Sequence, residues 1–349
     1  MQGRVQLWTR RQALWLLTGV MGTAVLQSCG QQQGGTETEG EAGGAGSIAA
    51  PFGITLWIGF TPLFIALDKG FFSKRGLDLQ YNVFSANAEV NTAFAAGQLK
   101  GLGSVAPEIV ALAERGQDYR IIMVADSSSG GDGILARNSI ESIEDFKGKN
   151  IALEKGSVSH FFLLKVLEEA GLTPEDVTIS NTTPDAAAAA YQAGRTDIAV
   201  TFSPYLQSAN EAQTDGRIIY DTSKMPSAIV DLYLFSTEFA ESHPEATLAF
   251  VEGIAEALNF LETNRDEAIE IVGRELQLSP EEVAAELEGV NLTDLERNRE
   301  MLGDRDSDIY LGDYLQSLGA FLVEQEQIES APENVEQLLA PQFVMEATT

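Results

Sequence analysis

The chain is 349 residues long, 44% hydrophobic, and carries 22 Lys plus Arg against 52 Asp plus Glu, a formal net charge of −30. That length suits two moderate hydrophobic cores, because domains usually run about 100 to 200 residues each. So acidic a chain repels nucleic acid and anionic lipid alike, which excludes both as partners held by charge.

Residues 1–28 hold three Arg and no acid, followed by the apolar run ALWLLTGVMGTAVL from Ala13 to Leu26. Such a run is shorter than the about 20 residues that span a bilayer and suits the core of an export signal. LQSC, Leu26 to Cys29, reads as the site where a bacterial signal is cut and the new N-terminal cysteine is lipidated. TRRQALW, Thr9 to Trp15, leaves twin-Arg and Sec export both open. Cys29 is the only cysteine, so it is either the lipid anchor or a lone thiol, and no disulfide can form. Cleavage leaves 19 Lys plus Arg against the same 52 acids. Residues 29–50, biased to Gly, Gln and Glu, predict a flexible tether. It would hold the folded body roughly 25 Å from the membrane, with the lipid as its only membrane contact.

Beyond the tether the chain alternates. Strand-like runs are predicted at 54–60, 77–84, 119–126, 133–138, 150–156, 176–181 and 197–202, mostly separated by helical patterns. That order predicts an α/β fold with mostly parallel sheets and helices on both faces. In PLFIALDKGFF, Leu63, Ala66, Leu67, Gly70 and Phe71 share one helical face, and Pro62 suits the first turn. From His243 onward the pattern is helical and acidic, with a helix start at the Ser-Pro-Glu-Glu of Ser279 and no further sheet.

In open parallel sheets, ligands bind beyond the carboxyl ends of the strands, where the next helices begin. Those positions are Phe60 and Thr61 after the first strand, Asn87 after the second, and Ser104 after LKGLGS. The series continues through DSSSGGD, from Asp126 to Asp132, then Ser157, Ser159 and His160, and finally Phe202 to Tyr205. In Gly156-Ser-Val-Ser-His160, Ser157 can cap a helix whose free N–H groups at Ser159 and His160 face a polar ligand group. The alternative is a cap alone, on a helix whose Phe161, Leu164 and Leu167 pack on a sheet. His160 has no Cys or paired carboxylates at ligand spacing, so a donor or supporting role is expected and a metal is not. No phosphate, triad or metalloprotease signature occurs, and no cofactor is expected.

Three segments carry a resemblance: WIGFTPLFIALDKGFFSKRGLDLQ, DFKGKNIALEKGSVSHFFLLKVLEEAGL and DIAVTFSPY, in that order. Together they resemble the nitrate, sulfonate and taurine branch of ABC-importer solute-binding proteins, a branch that includes thiamine-precursor binders. The resemblance covers about residues 54–260. It implies a two-lobed periplasmic-binding-protein fold of type II that closes on a small solute, as a single copy working with permease and ATPase subunits. Mapped here, the first lobe takes 51–130 and 229–349 and the second 131–228. The crossings then fall near DSSSGGDG and PSAIVD.

The solute is less clearly implied. Alkanesulfonate binders carry Trp, Trp and Asp where this chain has Ala199, Phe202 and Ser203. An anion also wants Arg or Lys at the strand ends, and the site positions offer Lys155 against Asp126, Asp132 and Glu154. If two of those acids face the cleft, a guanidine-like or amine cation fits, stacked on Trp57, Phe60 or Phe202, with urea next. If they are solvated surface, nitrate, taurine or alkanesulfonate stays open. Two further readings stand beside these: an enzyme of the thiamine-pyrimidine synthase type, and an exported sensory binding module.

Overall fold

The computed structural model describes residues 46–348, so the export signal, Cys29 and the tether up to residue 45 lie outside the described residues. Strand structure starts earlier than composition suggested. β1 is Ile48–Thr55, and its first three residues fall inside the expected tether. Their small side chains look like linker in the sequence, yet Ala50 is fully buried and the strand pairs along its length with the next, Ile48 opposite Leu77.

β2 (Leu77–Phe84), β3 (Gly101–Val105) and β4 (Tyr119–Ser128) follow, then β5 (Asp132–Ala136), β6 (Asn150–Leu153), β7 (Thr178–Asn181), β8 (Ile198–Phe202) and β9 (Arg217–Asp221). β10 (Val230–Ser236) and β11 (Val290–Leu292) complete the set. One sheet runs β11-β4-β10-β3-β1-β2 and the other β7-β6-β8-β5-β9. Each sheet with its helices is called a lobe below. The fold is the two-lobed α/β class expected, and the second sheet is built wholly from the segment that interrupts the first.

Both sheets are mixed rather than mostly parallel. β1 runs parallel to β2 and β3, and β6 parallel to β7 and β8. β10 lies antiparallel between β3 and β4, and β5 antiparallel between β8 and β9. The reason is connectivity: a parallel neighbour needs a crossover, usually a helix, and these two strands instead enter their sheets directly from the other lobe. The strands β9, β10 and β11 were absent from the predicted series, and β3 entered it only through the run LKGLGS and its end at Ser104. β11 is the exception to the helical tail, whose Ser279 start does appear, with Ser279 Oγ accepting from Glu282 N at 3.2 Å and Glu282 Oε2 accepting from Ser279 N at 2.6 Å.

Four helices bear on the site: α1 (Thr61–Asp68), α2 (Asn87–Ala95), α3 (Ala106–Glu114) and α4 (Val158–Glu169). The first lobe is fastened by the helix Pro244–Thr263, whose Phe250 stacks between Phe52 at 5.3 Å and Phe72 at 5.2 Å and meets Tyr233 edge-on at 5.1 Å. Burying each such ring contributes roughly 1.5–3 kcal/mol. Among the described residues no helix is long and apolar enough to cross a membrane.

The two crossings between the lobes, Ser128 to Asp132 and Asp221 to Val230, lie side by side. Ser128 Oγ and Thr222 Oγ1 share a 2.7 Å hydrogen bond, and Gly130 N donates to the same Thr222 oxygen at 2.7 Å. Ser129 N and Gly131 N both donate to Gly289 O, at 2.8 and 3.0 Å. Much of the hydrogen-bonding capacity of SSSGG is thus used by the neighbouring crossing and by Gly289, although the sequence pattern offered it to a ligand.

Candidate functional site

Between the sheets, at the crossings, is a small cavity with about 20 Å³ open to the centre of a water-sized sphere. One water needs about 10–15 Å³ by the same measure, so the space suits a solute of few heavy atoms. Trp57, Phe60, Asn87 and Ser104 line it from the first lobe, and Phe202 and Asp132 from the second. The strand-end argument singled out five of those six, and Trp57 was named as a stacking aromatic. Val158, inside the Ser157-to-His160 turn, lines it too, and so do Thr55, Asp231 and Ile229, which were not among them.

The aromatic wall is positioned by backbone that allows no side chain. Trp57 Nε1 donates to both oxygens of Asp126, at 3.3 and 3.1 Å, and its ring meets Phe202 edge-on at 6.0 Å. A Cβ on Gly59 would stand 2.0 Å from Asp126 Oδ2, and one on Gly131 would stand 2.5 Å from Trp57 Cη2. Glycine at both places is what lets the indole lie between the hinge and the carboxylate.

Asp126, Asp132 and Asp231 form one buried acidic group, 0, 4 and 7% exposed. β10 places Asp231 opposite Asp126 on β4 and Val105 on β3, while Asp132 opens β5 opposite Phe202. The reading of these acids as solvated surface is therefore overturned. Burial pushes the Asp126 carboxyl up to about 8, with the Trp57 indole pulling it back and Asp132 adding to the rise. Burial also lifts Asp132 to about 7 against the Ser128 hydroxyl. Asp231 is held well above the usual carboxylate range by burial, then by Asp126, Asp132 and Glu108. No Lys or Arg lines the cavity.

Other expected positions are placed elsewhere. Asp126 sits behind Trp57 rather than on the cavity wall. Thr61 is fully buried in α1, its Oγ1 without a partner. Tyr205 packs on Phe202 at 6.1 Å but does not reach the cavity. At the Gly-Ser-Val-Ser-His turn, Ser157 caps α4 by accepting from Ser159 N at 3.2 Å. Val158 N donates to Glu108 Oε1 of the first lobe at 3.2 Å. The Val158 and Ser159 amides are thus satisfied by protein, and Ser157, Ser159 and His160 are not on the cavity. His160 Nδ1 accepts from Gly156 N at 3.2 Å; burial, then Lys155, lowers its pKa to about 4, so the ring is a neutral structural acceptor. Glu154 lies in a neighbouring groove with Glu108, its Oε1 accepting from Ala88 N at 3.1 Å. Among the described residues no group of three or more His, Cys, Asp or Glu is arranged to hold a metal.

Asp231 is the residue sequence reasoning missed. A signal was present, since PSAIVD was read as a crossing and Asp231 is a single acid opening the apolar strand VDLYLF.

Comparison with known proteins adds the family. The taurine-binding periplasmic protein of Escherichia coli (strain K12) is 29% identical over 195 residues, covering 54% of this chain and 59% of that protein. A putative aliphatic sulfonates-binding protein of Bacillus subtilis (strain 168) is 29% identical over 217 residues, covering 60% of this chain and 65% of that protein. The matched segment thus spans less than two thirds of either relative. The alkanesulfonate-binding protein SsuA from Xanthomonas axonopodis pv. citri, solved bound to MOPS, superposes with a TM-score of 0.70 at 19% identity, covering 85% of this chain and 99% of that one, and so shares the fold. The family described as NMT1/THI5 like matches residues 57–268, more than half of the 349. The chain belongs to the NMT1/THI5-like family.

Proposed function

We propose that the chain is an exported solute-binding protein of an ABC importer, closing two lobes over a small polar solute that it releases unchanged to permease and ATPase subunits. The family and the named relatives support the class of protein. For the solute, the observation that counts is the pair of buried carboxyls Asp132 and Asp231 on the wall of a cavity lined by no cation, with Asp126 buried behind Trp57. A solute with positive charge and several N–H donors, guanidine-like or a small amine, satisfies that group, with aromatic faces at Trp57, Phe60 and Phe202. Urea offers the donors without the charge. Neither relative is named for such a solute, so this part of the reading rests on the cavity alone.

The relatives' names favour a second reading, a taurine, sulfonate or nitrate solute. That requires the carboxyls to stay protonated and donate to the anion, because ionised acids in a closed cleft repel it. Calorimetry with guanidinium, methylammonium, urea, nitrate, taurine and an alkanesulfonate separates the two. Guanidinium or the amine is expected to bind most tightly. Tight binding of nitrate or a sulfonate, with none of the cations, would replace the first reading with the second.

For location, the order of charged, apolar and LQSC segments supports export with Cys29 as the lipidated N-terminus. Cys29→Ser is expected to release the protein from membranes. Fractionation that finds the variant still membrane-bound and identically processed would remove the anchor.

A further inference from the structure

Beside the cavity, the lobes meet through two hydrogen bonds of one kind running in opposite directions. α2 belongs to the first lobe, and its N-cap position is Ala86, which has no side-chain acceptor. Its missing cap is supplied across the cleft: Ala88 N donates to Glu154 Oε1, 3.1 Å away, on the turn after β6 of the second lobe. In return, Val158 N at the start of α4 in the second lobe donates to Glu108 Oε1, 3.2 Å away, on α3 of the first. Each lobe thus lends a carboxyl oxygen to the other's helix terminus, where backbone N–H groups lack intrahelical partners; burial raises both acids, Glu108 to about 8 with Glu154 adding to the rise.

We propose that Glu108 and Glu154 are positioning residues forming a reciprocal latch, which holds the lobes closed independently of what the cavity contains. Both bonds join residues on separate lobes, so neither survives opening, and one cannot be lost by lobe rotation without straining the other. Glu108 is steadied within its own lobe by Asn91 Nδ2 at 3.3 Å and Ser104 Oγ at 3.5 Å, so it presents its other oxygen to α4 from a fixed position. Glu154 is 6% exposed, and its Oε2 has no partner. Burying that oxygen unpaired costs free energy, which keeps the latch from locking and leaves it reversible. The latch adjoins the site, because Val158, which carries one bonded amide, and Asn87, next to the other, also line the cavity.

Amide hydrogen exchange on the exported protein without added solute tests the latch apart from any assignment of the solute. Opening exposes both amides together, so Glu154→Ala is expected to speed exchange at Val158, to which the Glu154 side chain makes no hydrogen bond, about tenfold, and Glu108→Ala to do the same at Ala88. Glu154→Gln keeps a carbonyl acceptor and should restore most of the protection. Ala86→Ser gives α2 a cap of its own; it is expected to speed exchange at Val158 without lowering the melting temperature, which a merely structural role for Glu154 would not produce. If each substitution speeds exchange only at its own partner amide, the two contacts are independent caps and the latch is refuted. The same holds if Ala86→Ser leaves Val158 as protected as before.

Discussion

Guanidinium affinity is expected to rise with pH by about tenfold per unit between pH 6 and 8 for each proton released on binding, then level off. In the empty cleft burial holds Asp132 at about 7 and Asp126 at about 8, so near pH 6 both carry protons. A cation entering the cavity favours the ionised carboxyls and displaces those protons, so capture releases them and is easier when they are already scarce. An anion reverses the sign, because it needs the protons in place and binds less well as pH rises. The empty protein should behave in the opposite sense from the cation complex. Carboxyls raised above their unfolded values contribute stability that is complete below about pH 4 and is lost as pH rises through about 7 to 8. The melting temperature of the empty protein should therefore fall from pH 6 to 9, and guanidinium should restore it. Calorimetry at three pH values, in two buffers of different ionisation enthalpy, counts the protons directly. A guanidinium affinity that is flat or falls with pH would contradict this account of the site.

Asp231→Asn and Asp132→Asn are each expected to weaken a cationic solute by about tenfold to a hundredfold. Each removes one hydrogen bond to an ionised partner, worth about 1.5–3 kcal/mol, where 1.4 kcal/mol is tenfold. Both residues line the cavity, whereas Asp126 reaches it only through Trp57, so Asp126→Asn should cost less. Folding should not suffer: asparagine keeps the shape and has no charge to desolvate, so above pH 8 the variants should melt at or above the parent temperature. Trp57 reports the titration, since it is the sole tryptophan after residue 28 and stands on the cavity wall. Binding of guanidinium or methylammonium that survives both substitutions unchanged would show that these acids serve the fold alone. A gain in nitrate or taurine affinity in either variant would instead favour the anion reading.

How much of this was legible depends on the range of the interactions involved. The alternation of strand and helix and five of the cavity-lining residues follow from local pattern: the ends of strands converge on one edge of a sheet, so Phe60, Asn87, Ser104, Asp132 and Phe202 could be named before their partners were known, while the two-lobed class came with the family resemblance and Trp57 as a stacking aromatic. Asp231 escaped because the same rule counts carboxyl ends. β10 enters antiparallel, which brings its amino end to the edge where β3 ends, Asp231 facing Val105. β11 is three residues long, too short to show a period. The turn at Ser157 to His160 has the composition of an open helix terminus, and only tertiary packing delivers Glu108 to Val158 N from 50 residues away. The charge of the cleft was undecidable locally for the same reason. Whether an Asp in so acidic a chain is solvated or desolvated depends on what covers it, and Asp126 is covered by Trp57, a residue 69 positions earlier that is admitted by the missing Cβ of Gly59. Sequence by itself determined which groups stand at strand ends; burial, decided by contacts between distant segments, determined which of them lost their water and so which can bind a charge strongly.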